Sequence, residues 1–236
     1  MKRIWLTALA LILAFAQHPV LAQKNGIDAE IAVLTERVEA LEGTRAIKKL
    51  QRAFGFYVDR GLWGEAADLF SDNGTVEIGI DGVYVGKARI REYLMRLHGG
   101  QEGLIYGQLN EWITLQPAIS IAPGGERGTA RWRDHAMLGQ YKQHAEWRDG
   151  IYENTYVKEG GVWKIESLHL YVNFTVPYER GWARLQPGEG LVASETSKAF
   201  PPDRPPTAQY KPFPDVQVPP FQAVHPVTGK PARGVR

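Results

Sequence analysis

The order of apolar patterns along the chain predicts an α+β cone, with helices first and a curved antiparallel sheet after them. Three observations carry this. Apolar residues recur at helical spacing over residues 45–70 and 87–97. They alternate with a period of two through most of residues 106–174. From Pro177 onward the pattern stops, and that stretch holds twelve of the 15 prolines.

The first 22 residues have the form of a secretory leader. Lys2 and Arg3 precede an apolar run from Ile4 to Ala16, and Val20-Leu21-Ala22 is a small-residue cleavage site. A run of thirteen residues is short for a membrane span, so the expected mature chain is exported, periplasmic or secreted, and free of the membrane. An uncleaved anchor is the alternative. Cleavage after Ala22 removes two of the 28 basic residues and leaves 26 against 26 acidic ones. A neutral, unpatterned surface argues against nucleic acid as a partner. The chain has no cysteine, which excludes disulfides, thiolate catalysis and Cys-ligated metal sites.

Residues 23–44 form the next segment. Within them Ile27, Ile31, Leu34, Val38 and Leu41 recur at alternating four- and three-residue steps, a short heptad-like helix. Two heptads are marginal in water. The helix therefore folds back on its own domain or zips to another chain. From Arg45, the residues Ile47, Leu50, Phe54, Tyr57 and Val58 make one buried helical stripe. Gly61 is placed to take the left-handed C-cap. Leu62, Ala66, Leu69 and Phe70 give a second short helix, closed by Ser71-Asp72-Asn73-Gly74. Thr75–Ile80 and Val83–Val85 pair as a hairpin through Asp81-Gly82. Lys87 to Leu97 is a third helix with Ile90, Tyr93, Leu94 and Leu97 inward, stopped by Gly99-Gly100.

Long strands follow. Tyr106–Ile121 sets Asn110, Trp112 and Thr114 on one face, and Pro117 demands a bulge or an edge position. Gly128–Tyr141 places Arg131, Arg133 and His135 on a face for solvent or a subunit interface. Ile151–Lys158 and Val162–Phe174 form a hairpin around Glu159-Gly160-Gly161. Tyr152, Asn154 and Tyr156 share one face of it, and Trp163, Ile165, Ser167, His169, Tyr171 and Asn173 share one face of the last strand. Trp147 falls in the preceding loop, placed to cap a pocket mouth. His98, His144 and His225 fall in loops or the tail. Residues 177–236 are an extended arm or linker, with Tyr210, Phe213 and Phe221 as anchors.

One residue breaks the burial pattern. Asp59 follows Tyr57 and Val58 beside the apolar stripe, and a carboxylate there needs a partner, a raised pKa or solvent. An apolar pocket raises a carboxyl pKa toward neutrality, which suits a base that abstracts a proton beside a carbonyl or benzylic carbon. A nearby imidazole or phenol then orients the base or protonates an oxyanion. That chemistry requires no metal or organic cofactor. The chain shows no H-x-x-x-H pair, phosphate-cradling Gly loop or G-x-S-x-G elbow.

AIKKLQRAFGFYVDRGLWGEAADLF, GTVEIGIDGVYVGKARIREYL and YENTYVKEGGVWKI together resemble the SnoaL-like branch of the nuclear transport factor 2-like superfamily, over residues 45–176. The resemblance implies a cystatin-like α+β barrel around a deep apolar pocket. It also implies a hydrophobic, aromatic or polycyclic small molecule as substrate, and lyase or isomerase chemistry without cofactor. Relatives of the dehydratase and dehydrochlorinase types place an Asp at the end of the first helix, which Asp59 matches, and pair it with a sheet His. A His expected near position 112 is Trp112 here, so His169 is the replacement partner. Tyr57, Asn110, Trp112, Tyr152, Asn154 and Tyr171 are the candidate substrate-binding residues. Asp59 is otherwise a helix-terminal carboxylate bonded to backbone or Arg, and His169 a satisfied core histidine. A non-catalytic domain for ligand binding or subunit assembly is the alternative function. Sheets of this shape commonly expose a face that must be covered, so a homo-oligomer, a dimer, is expected.

Overall fold

A computed structural model describes residues 2–215, 225 and 227–230. The elements are α1 (Lys2–Asp59), α2 (Trp63–Asp68), β1 (Phe70–Ile78), β2 (Val83–Val85), α3 (Lys87–Leu97), β3 (Gln108–Ile121), β4 (Arg127–Gln140), β5 (His144–Glu159) and β6 (Val162–Pro177). A 3-10 turn (Trp182–Arg184) and the short α4 (Glu195–Ala199) follow. The chain divides into two compact units, residues 1–42 and 43–236. The leader, heptad and core-stripe segments, expected as separate pieces, are one unbroken helix. Among the described residues, no helix is long and apolar enough to cross a membrane.

In the larger unit, Ile47, Phe54 and Val58 are wholly buried, as the stripe predicts. Each such side chain contributes ~1.5–3 kcal/mol by leaving water. Phe54 meets Phe70 and Trp112 edge-on, at centroid distances of 6.0 and 6.3 Å. Gly61 ends the helix with φ +66°. Its N–H donates to Val58 O, and the next N–H, of Leu62, donates to Tyr57 O. A Cβ at Gly61 would lie 2.4 Å from Gly103 O, so both conformation and space require glycine.

The six strands run in the order β2-β1-β6-β5-β4-β3. All neighbours are antiparallel except β1 and β6, which are parallel, so the expected all-antiparallel sheet carries one parallel seam. β3 is an edge strand, and its register shifts between Leu115 and Ala118, at Pro117, so Pro117 takes both of its allowed places. β5 begins seven residues earlier than its alternation predicts, because residues 144–150 continue the ladder to β4. Trp147 is therefore a strand residue opposite Met137 and not a loop cap.

β6 corrects the reading of its faces. Thr155 pairs with Ser167 but Tyr156 with Ile165, so Glu166 is an extra, bulged residue. The bulge moves the core face from Trp163 and Ile165 to Leu168, Leu170 and Val172. His169, Tyr171 and Asn173 consequently lie on the other face from Trp163 and Ile165.

After β6, residues 178–215 run as an arm along the domain. The Thr207 hydroxyl and amide donate to the Glu77 carboxylate. Tyr210 Oη donates to Val172 O at 3.1 Å, and Phe213 N to Asn173 O at 3.0 Å. Phe200 stacks on Tyr84 and lies 3.9 Å beneath the Arg89 guanidinium. Tyr210 and Phe213 thus act as anchors, and Phe221 lies outside the described residues.

Candidate functional site

A cavity of about 500 Å³ opens inside the sheet, of a size that takes a small molecule. Its wall combines the end of β1 and the turn after it, the end of α3, the first residues of β3 and β5, the end of β4, the last third of β6 and residues from the arm segment 189–194. The apolar part includes Ile78, Leu138, Val172 and Leu191, and the polar part includes His98, Asn110 and Arg148.

His98 is the C-cap residue of α3 and is buried. Its Nδ1 lies 2.7 Å from Leu94 O. A carbonyl only accepts, so Nδ1 carries the proton and Nε2 is left as the acceptor. The ring stacks on Trp63 at 5.1 Å and meets Trp112 edge-on at 5.0 Å. Burial pushes its pKa down to about 4, against the Leu94 hydrogen bond, so the imidazole is neutral at pH 7.

Arg148 lies on β5 across from Ala136 of β4. Its Nε and a terminal nitrogen donate to the two oxygens of Asp134 at 2.8 and 3.3 Å. Burial opposes the guanidinium charge, and Asp134, together with Tyr152 and Tyr93, more than restores it. The guanidinium also sits 3.9 Å over the Trp112 ring. Trp112 thus contacts both a neutral imidazole and a paired cation.

Asp59 is adjacent to this group but is not part of the cavity wall. Its Oδ1 accepts the Trp112 backbone N–H at 2.7 Å. Burial raises its pKa to about 6; the Trp112 amide works in the opposite direction, Glu111 adds to the rise and Arg60 subtracts from it. Asn110 links the two regions, donating to Val58 O and accepting from Trp112 Nε1, both at 2.9 Å.

Of the residues predicted from sequence, Asn110 lines the cavity, and Asp59 and Trp112 are bonded beside it. Tyr152 is wholly buried, its pKa driven well up by burial and by the nearby Asp134 charge. Asn154 is part of an interior network with Gln51 and Tyr156. Tyr57 is half-buried against the core.

His169 and Tyr171 are elsewhere. The Glu166 bulge turns His169 toward Glu77, 3.5 Å from its Nδ1, and stacks it on Tyr171 at 3.8 Å under the arm. Tyr171 also meets Tyr210 of that arm. His169 is therefore placed with Glu77 and Tyr171, while Asp59 is bonded to Trp112. Two residues of the wall escaped the sequence reading. His98 follows Leu94 by four residues, on the inward stripe of α3, and that spacing is its signal. Arg148 continues the even-numbered face of Tyr152, Asn154 and Tyr156.

Sheet, helices and cavity define an α+β cone with an interior pocket. Residues 39–169 match the SnoaL-like domain family, and the chain belongs to that family. Among solved structures, the chain is similar to a scytalone dehydratase candidate from Novosphingobium aromaticivorans (19% identity, 58% of this chain and 89% of the other, TM-score 0.51). It is also similar to a type 2 hexachlorocyclohexane dehydrochlorinase, LinA (16%, 60% and 92%, TM-score 0.52). The type 3 LinA from Novosphingobium barchaimii is a further likeness (16%, 60% and 93%, TM-score 0.52). At these identities the likeness is one of fold. No curated protein matches the chain.

Proposed function

We propose that the cavity takes a hydrophobic, aromatic or polycyclic small molecule, and that the chain acts on it as a cofactor-independent lyase or isomerase. The observation that carries this reading is that His98 and Arg148, both in the cavity wall, both contact the Trp112 ring. A neutral imidazole with an acceptor nitrogen can remove a substrate proton. A guanidinium in the cavity wall can stabilise the oxyanion that then develops. His98 is the proton acceptor in this reading because geometry precedes pKa in choosing a base. Asp59 is the second acid–base candidate, with the pKa nearer neutrality. The names of the dehydratase and dehydrochlorinase neighbours, both denoting eliminations, support the lyase reading. Lys2, Arg3 and the apolar run after them support export of the chain.

The position of Asp59 off the cavity wall favours a second reading, ligand binding without turnover. One experiment separates the possibilities. Phenolic dimers, polyketide-like ketones, steroid enones and epoxides are incubated without cofactor and followed by mass spectrometry. Wild type is compared with His98→Gln and Asp59→Asn. Turnover lost with His98→Gln and kept with Asp59→Asn supports the assignment. Loss with Asp59→Asn alone transfers the base to Asp59. Binding without turnover in all three establishes the second reading.

A further inference from the structure

The smaller unit carries an apolar stripe that, within that unit, stands open to water. Ile27, Ile31, Leu34, Val38 and Leu41 are 50, 55, 51, 53 and 71% exposed. Five large aliphatic side chains in one row, each half open to water or more, form a coherent surface rather than scattered exposure. Their steps of four, three, four and three residues are those of a heptad seam. Helix α1 runs unbroken through this stretch to Asp59, so the stripe does not have to nucleate its own helix.

We propose that this stripe docks a second copy of the same chain, as a parallel two-stranded coiled coil over residues 27–42. The residue types select that partner. Ile31 and Val38 fall at the a positions, and Ile27, Leu34 and Leu41 at d. β-branched residues at a with leucine at d favour two parallel strands. The flanking positions agree. In a parallel pair each g residue faces the e residue five places later on the other helix. Arg37 then meets Glu42 of the second copy and Glu30 meets Thr35. One pair is attractive and none sets like charges together. The seam stops by itself, because the next a position is Arg45.

The test uses the full chain in every arm, so that the apolar N-terminal run is constant. Sedimentation velocity is expected to give wild type a mass twice the 26.4 kDa of one chain. Val38→Asp places like charges at the seam and is expected to weaken association at least tenfold. Val38 is exposed, and an unchanged far-UV circular dichroism spectrum checks that the fold persists. Arg37→Glu weakens the dimer, and Arg37→Glu with Glu42→Arg restores it. The chain has no cysteine, so Val38→Cys carries a single thiol. On oxidation it is expected to cross-link chain to chain in the parallel pair, where equal a positions face each other. A monomeric or trimeric wild type overturns the proposal. So does a dimer that Val38→Asp leaves intact, or one in which Cys at 38 fails to cross-link.

Discussion

Asp59 is a carboxylate whose ionisation the fold opposes. Its pKa is about 6 against an ordinary 3.8, because burial strips water from the charge and the Trp112 amide offsets only part of the loss. In the unfolded chain the group ionises near 3.8, so between there and about pH 6 the folded state holds a proton that the unfolded state has released. Stability contributed through this group falls as pH rises through that window, and above it the whole cost is in place. At full strength the displacement is worth ~3 kcal/mol. The carboxylate is only half-buried, and solvent screening reduces this to ~1–2 kcal/mol. Asparagine removes the charge and keeps an acceptor for the Trp112 N–H. Asp59→Asn is therefore expected to exceed wild type in stability by ~1–2 kcal/mol at about pH 7.5 and to match it at about pH 3.5. Urea denaturation of the two proteins in parallel across this range measures the difference. A variant less stable than wild type at every pH, or a gain that does not change with pH, refutes the reasoning. A stability gain joined to lost turnover would mean that the destabilised carboxylate is kept for function.

The remaining predictions concern the cavity wall. His98 has the opposite sign: its pKa is about 4 in the fold against 6.5 outside it, so its contribution is full above pH 6.5 and is lost as pH falls toward 4. His98→Gln is expected to lose less stability than wild type between those pH values, by ~3 kcal/mol, in the same denaturation series; parallel curves would contradict this. Asp134 and Arg148 form a pair with side chains 0 and 6% exposed. Asp134→Ala leaves a buried cation alone and is expected to cost ~3–5 kcal/mol, whereas Asp134→Leu with Arg148→Met restores most of it. Thermal melts of the three proteins check the order, and a loss below ~1 kcal/mol in the single variant would show that Arg148 finds water.

What could be read from the sequence follows how local each determinant is. The bounds of α3 are legible to the residue because its stripe, Ile90, Tyr93, Leu94 and Leu97, and its Gly99-Gly100 stop are both local. The same holds for Gly61, where the end of a helical stripe coincides with glycine. His98 has the spacing of that stripe, but the adjacent glycines place it in the loop reading. The start of β5 is set by its pairing with β4, while its own residues, His144 to Asp149, show little alternation. Arg148 is hidden by this. The bulge at Glu166 leaves no local mark at all. It arises because β6 must satisfy β5 on one side and β1 on the other, and it is what separates His169 and Tyr171 from the face of Ile165.

The family match ends at residue 169, inside β6, yet Gly190, Leu191 and Ser194 belong to the cavity wall. Asp81 accepts the Ser194 amide only from chain made after every strand. Cutting the polypeptide between β6 and Gly190 would keep every strand of the sheet and leave that wall incomplete.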